Sequence, residues 1–153
     1  VLTAGRRHVL SYGLAIISDP KESDAMSVQL AAVTIDCDDA LVVARFWSAA
    51  LDRELDAGAS SAFASIGMPE HRDTTGWAIT DGDHPTWLFA QVPEPKRAKN
   101  RMHVDLAAAD HEAEVARLVE LGAARVVDMD EWGYRWTVLQ DPEGNEFCVA
   151  QLR

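Results

Sequence analysis

His103 and Asp105 stand two residues apart in the run Asn100-Arg101-Met102-His103-Val104-Asp105-Leu106. On an extended strand that spacing points both side chains to one face. An imidazole beside a carboxylate can take up and return a proton, or hold a polar ligand by hydrogen bonds. Met102, Val104 and Leu106 claim the opposite, apolar side, so the pair belongs to the face turned away from the core. Cys148 adds a thiol, which becomes a nucleophile only with a base or cation beside it; His103 is the candidate base, and a buried structural cysteine is the plainer reading. Asp36 offers a further carboxylate that could orient a cation or raise a neighbour's pKa. Trp87, Phe89 and Gln91 alternate with Leu88, Ala90 and Val92. With the first set turned to a pocket, the rings form a stacking wall for a planar or ring-bearing ligand and Gln91 joins them; with the opposite register they are plain core. Trp136, in the alternation Trp132, Tyr134, Trp136, is another wall candidate. Arg101 closes the basic run Lys96-Arg97-Ala98-Lys99-Asn100-Arg101, which reads as a solvated connector or as a contact for an anionic group. No glycine-rich phosphate loop and no G-x-S-x-G elbow is present in the sequence.

The elements that must position these residues follow from periodicity. Gln29 to Cys37 alternates as a strand, with Ala31, Val33, Ile35 and Cys37 on one face and Leu30, Ala32, Thr34 and Asp36 on the other. Asp38-Asp39 caps a helix from Ala40 to Leu51, whose apolar stripe runs through Val42, Val43, Phe46, Trp47, Ala50 and Leu51. Short strands are expected over 61–66, 76–80 and 86–92, separated by Gly67-Met68-Pro69 and Asp81-Gly82-Asp83. Pro93-Glu94-Pro95 ends the pairing, because proline cannot donate to a ladder. The second half repeats the order: a strand over 102–107, a helix capped by Asp110 and running to Leu121 before Gly122, then strands over 124–128, 134–139 and 146–151. Repetition of β-α-β-β-β predicts an α+β fold made of two modules. A sheet with one helix leaves its other face bare. Two such faces can form a curved trough with the helices outside, and the trough is where a ligand would sit.

Composition narrows the partners. The net charge of -11 disfavours nucleic acid and anionic membrane, which need a basic footprint. No run approaches the ~20 apolar residues of a membrane-spanning helix. With two cysteines, Cys37 and Cys148, there is no disulfide framework and no Cys-x-x-Cys pair, and a reducing, cytoplasmic setting is expected. Arg6-Arg7 ahead of the apolar run from Val9 to Ile17 imitates a secretory signal, but Ser18-Asp19-Pro20-Lys21-Glu22 offers no small-x-small cleavage site. Residues 1–26 are therefore read as an N-terminal extension, mobile or upstream of a functional start at Met26, and 27–153 as the domain, with modules at about 28–93 and 101–152.

The order of elements resembles the vicinal oxygen chelate superfamily, which includes glyoxalase I, extradiol dioxygenases, and bleomycin- and fosfomycin-resistance proteins. The resemblance is carried by Asp39 and Phe46-Trp47 in the first half, and by His103, Asp110, Gly122 and Asp141-Pro142-Glu143-Gly144-Asn145-Glu146-Phe147 in the second. The run Val92-Pro93-Glu94-Pro95-Lys96, continued by Lys99-Asn100-Arg101-x-His103-x-Asp105-Leu106, and the ending through Cys148 are similar to the glyoxalase-like domain branch. The resemblance implies homodimers, the commonest symmetric state. In metal-dependent members each module supplies one ligand early on its first strand and one on its last, usually His or Gln and then Glu. Carried onto this chain, those positions are Ala32 (or Ala31), Ala90 or Gln91, His103 and Cys148. Only His103 matches, and both carboxylates are missing. Catalytic zinc generally keeps three protein ligands, so no cofactor is expected and a divalent metal is disfavoured.

Two classes of function fit. The first is a small-molecule-binding protein of glyoxalase-like fold, holding its ligand in the trough between modules with Asp36, Trp87, Phe89, Gln91, Arg101, Trp136 and Cys148 as contacts. The second is an enzyme: a metal-independent lyase or isomerase with His103 as acid/base and Asp105 orienting it, or a divergent metal-dependent lyase of glyoxalase type. The missing carboxylates favour the first.

Overall fold

The computed structural model describes residues 30–68 and 84–152. The N-terminal extension and the strand expected at 76–80 lie outside those residues, as does the turn at 81–83. The described chain runs β1 (Ala32–Cys37), α1 (Ala40–Leu51), β2 (Phe63–Ile66), β3 (Thr86–Gln91), β4 (Val104–Ala108), α2 (His111–Glu120), β5 (Ala124–Glu131), β6 (Tyr134–Gln140) and β7 (Glu146–Gln151). This is the expected α+β order of two modules. Seven strands are described, in a three-stranded sheet ordered β1-β3-β2 and a four-stranded sheet ordered β4-β7-β6-β5. In each sheet the module's first strand runs parallel to its last, β1 beside β3 and β4 beside β7, and the remaining pairs are antiparallel.

Both helices start where a carboxylate can satisfy free N–H groups. Asp39 is extended, and its Oδ1 accepts from the backbone N–H of Leu41 at 2.9 Å and of Val42 at 3.2 Å. Asp110 does the same for Ala113 at 3.1 Å. Gly122 ends α2 with φ of 114°, a backbone geometry that costs a side-chain-bearing residue energy.

The two modules share one core on their helix sides. Trp47 and Phe46 of α1 meet Phe147 of β7, with ring centroids 5.0 and 5.8 Å apart. Val115, Leu118, Leu139 and Val149 join the same cluster, each fully buried. Burial of each such side chain stabilises by about 1.5–3 kcal/mol, so this aromatic junction is a main tie between the halves. Arg117 of α2 adds a polar tie, donating from Nη1 to the Ala49 carbonyl at 3.0 Å and from Nη2 to the Ala50 carbonyl at 2.8 Å.

Several expectations are corrected. Trp87 and Phe89 do not line a pocket; they are 5% and 0% exposed. The parallel register pairs Val33 with Trp87 and Ile35 with Phe89, so the rings share the face that α1 covers, and Trp87 packs 4.7 Å from Trp47. The largest apolar side chains of β3 thus occupy its dry side, and Leu88 and Ala90 take the bare one. Gln91, paired with Cys37 at the strand end, is exposed, and its Nε2 donates to the Asp38 carbonyl at 2.7 Å. Met102 does not pack on the helix side. The strand begins only at Val104, which leaves Met102 77% exposed. Val42, at the edge of the α1 stripe, also lies outside the core.

Candidate functional site

The bare face of the second sheet gathers the polar residues. The register sets Asp105 of β4 beside Cys148 of β7, and Cys148 beside Val138 of β6. His103 lies just ahead of β4, with its Nε2 3.4 Å from Asp105 Oδ1. His103, Asp105 and Cys148 each present one ligand atom within 4.8 Å of the other two. Val104 and Leu106, the alternating neighbours, pack against the core. The strand therefore separates its side chains as the sequence suggests, dry side inward and His-x-Asp outward.

The electrostatics of this cluster are uneven. Burial pushes the Cys148 thiol up to about 11, and its hydrogen bond to the Asp105 carboxylate, together with that group's negative charge, adds to the rise. A thiol so held stays protonated at neutral pH, so Cys148 has the wrong charge state for a nucleophile.

Trp136 lies on the same face, opposite Ala150 of β7, and is half-buried. Trp132 stacks on it with centroids 6.4 Å apart and planes 18° from parallel. The residue between those two alternating positions, Tyr134, points to the same side. This wall lies beside the His103–Asp105–Cys148 floor on adjoining strands.

Asp36 comes from the other module. Its strand, β1, runs past the start of β4, and the gap between them is a groove of about 210 Å³ lined by Thr34, Asp36, Met102 and His103. Among the described residues no ladder joins the two sheets across it. Asp36 also lines a larger cavity of about 710 Å³ near the module junction, with Glu94, Lys96 and Glu143. Arg101 is exposed ahead of His103.

The connector is more firmly held than its composition suggests. Glu146 pairs with Lys96 at 3.0 Å and accepts from the Asn100 backbone N–H at 3.0 Å. Burial alone would raise its pKa, but those two donors outweigh it and hold the carboxyl down at about 2. Lys96 is thus occupied by the protein itself. Glu143 and Asp141 carry the resemblance in the sequence, but no structural role could be read for either from the stretch Asp141-Pro142-Glu143-Gly144-Asn145. Glu143 accepts from the backbone N–H groups of Asp38 and Asp39 at 2.6 and 2.7 Å, across the module boundary. Asp141 is buried and accepts from Trp47 Nε1 at 3.2 Å and from the backbone N–H of Asn145 at 2.9 Å. Two acidic residues flanking a proline beside a Gly-Asn pair, with a capped helix elsewhere in the chain, was the available signal.

This architecture, two βαβββ-type modules with open sheets and outer helices, is that of the vicinal oxygen chelate superfamily. The glyoxalase-like domain model matches residues 32–150, and the chain belongs to that family. Solved structures of the same fold include a glyoxalase/bleomycin resistance protein/dioxygenase family enzyme from Burkholderia phytofirmans PsJN. It has a TM-score of 0.61 and 15% identity, over 82% of this chain and 100% of that one. A fosfomycin resistance protein from Mesorhizobium loti matches with a TM-score of 0.57 and 13% identity, over 84% and 94% of the two chains. A lactoylglutathione lyase from Agrobacterium tumefaciens matches with a TM-score of 0.53 and 13% identity, over 80% and 92%. No curated protein matches the sequence.

The ligand set that the superfamily uses for a divalent metal does not fit these residues. Ala32 and Ala90 carry no donor, and Gln91 faces away and is bound to Asp38. At those positions the first module carries alanines and a glutamine already bonded to the protein. The second supplies His103 and, where a carboxylate is usual, a thiol.

Proposed function

We propose that this protein binds a small molecule on the bare face of its second sheet, without the superfamily's two-module metal set. The observation that supports this best is the convergence of His103, Asp105 and Cys148 within 4.8 Å on a face the core does not use. His103 can donate or accept, and the exposed Asp105 carboxylate accepts, so the floor recognises a polar group. The Trp132–Trp136 stack beside it offers a flat apolar wall to a ring. Asp36, across the groove, favours a neutral or cationic ligand over an anionic one, and Arg101 is the nearby counterweight. A second chain would close the trough, since Phe63 and Val127 on the bare faces stay 41% and 45% exposed in one chain. The described residues contain no helix long and apolar enough to cross a membrane.

Tryptophan fluorescence and NMR titration against a panel of neutral and cationic ring-bearing compounds tests this. Binders should shift the His103 imidazole and Trp136 indole signals together, and His103→Ala should weaken them about tenfold, the worth of one buried polar contact. Compounds that shift only signals on the helix side would overturn the reading. A lyase or isomerase using His103 as acid/base would instead show turnover with a bell-shaped pH profile that His103→Ala abolishes.

A further inference from the structure

We infer that the groove between β1 and β4 is a binding site for a short, unbranched aliphatic amine, its chain inserted toward Trp47 and its ammonium group at Asp36. The inference goes beyond the ligand site on the bare face, because it uses the gap between the modules and needs no aromatic wall. It starts from an uneven burial. Val33 and Ile35 of β1 pair with Trp87 and Phe89, and Val104 of β4 pairs with Phe147, so each pair points to the same dry side. Trp87, Phe89 and Phe147 are buried, yet Val33, Ile35 and Val104 are only half-buried. The gap is the cause, since among the described residues no ladder joins β1 to β4. It encloses about 210 Å³, and Val33, Ile35, Val104 and Trp47 are among its walls.

The inner end of the groove offers carbon. Trp47 spends its Nε1–H on Asp141 at 3.2 Å, and Asn145 spends its Nδ2 on the same carboxylate at 3.0 Å. Glu146 is held by Lys96 and by the Asn100 backbone N–H. A buried water needs two to four polar partners, so water is a poor filling there. An alkyl chain needs none and gains about fourfold in affinity for each CH₂ it buries. At ~30 Å³ per water-sized group the volume holds roughly seven such groups, a chain of about five carbons with its head. The rim selects the head. Asp36 stands there with Thr34 and His103, and among the described residues its carboxylate has no ion pair. It attracts an ammonium group and repels a carboxylate.

A series of primary n-alkylamines from propyl to octyl is the probe, titrated into the full chain and followed by methyl and indole NMR. The expected result is saturable movement of the Val33, Ile35 and Val104 methyl signals and the Trp47 indole N–H signal. Affinity should rise about fourfold per CH₂ and level off at about six carbons, where the chain outgrows the groove. Ile35→Val, which removes one carbon from the wall, should move that break to a longer chain. Asp36→Asn should weaken pentylamine about threefold, the worth of an exposed ion pair, and leave 1-pentanol unchanged. Shifts that stay linear to millimolar amine, an affinity that climbs to octyl without a break, a break unmoved in Ile35→Val, or pentylamine binding indifferent to Asp36→Asn would overturn the inference. So would movement of Trp136 in place of Ile35 and Val104. The amines have no ring to stack on Trp132 and Trp136, so the ring-compound titration reports the bare-face reading separately and either can fail alone.

Discussion

A buried thiol hydrogen-bonded to a carboxylate is held in its protonated form, and in this chain that applies to Cys148 beside Asp105. Cys37 is in a similar state: burial and the neighbouring carboxylates, Glu143 first among them, raise it to about 11 while its Sγ–H donates to the Ala90 carbonyl at 3.4 Å. Both thiols should therefore resist iodoacetamide at pH 7 in the folded protein and react at the ordinary rate in guanidinium, as mass spectrometry of the alkylated chain will show. The same shifts set a stability limit. Below pH 9 both thiols are protonated whether folded or unfolded, and they contribute no pH dependence. Between about pH 9 and 11 the unfolded chain loses protons that the folded chain keeps, so stability falls as pH rises. Thermal melts across that window should show a decline that shrinks in Cys37→Ser. Glu146 sets the opposite limit. Its carboxyl, depressed from 4.5 to about 2, stabilises the fold above pH 4.5, and that contribution is lost as pH falls toward 2. Glu146→Gln should flatten the acid limb of the stability curve between those values.

At the scale of elements, the turn at residues 141–145 matters more than its length suggests. Glu143 reaches the opposite module and accepts two backbone N–H groups ahead of α1, so it holds the Asp38-Asp39 segment that carries the cap of that helix. Glu143→Ala should cost about 1–2 kcal/mol in urea unfolding, in the range of a lost helix cap. Asp141→Ala should cost more, about 3 kcal/mol, because it strands the buried Trp47 Nε1 donor and unravels the turn together. Neither role was legible in the chain. Order and helix starts were, because Asp39 and Asp110 stand directly before periodic apolar stripes, and alternation placed Val104 and Leu106 inward with Asp105 outward. The face of Trp87 and Phe89 was not, because strict alternation fits either register; only pairing with Val33 and Ile35 decides it. Cys148 as the partner of Asp105 was hidden for the same reason. Forty-three positions separate the two in sequence, and strand register alone brings them together.

At the scale of the molecule, the two helix faces are spent on one shared core and the two bare faces are not. Phe63 on β2 and Val127 on β5 remain 41% and 45% exposed, and Trp132 at the β5–β6 turn 84%. Apolar groups spread over a face that ends in the free edge of β5 are a cost in water that a second copy would relieve. The chain's net charge of -11 works against that pairing, since two copies bring like charges together. The balance should therefore depend on salt. Analytical ultracentrifugation should find twice the 16.8 kDa chain mass, with dissociation weakened as ionic strength rises and repulsion is screened. Val127→Glu adds charge to the apolar face and should give monomers at low salt, with its circular dichroism unchanged because the side chain is outside the core. A monomer at every salt concentration, or a Val127→Glu protein that still dimerises, would place the contact elsewhere. The bare face of the second sheet would then stay open to solvent, and His103, Asp105 and Cys148 would have to hold a ligand from one side only.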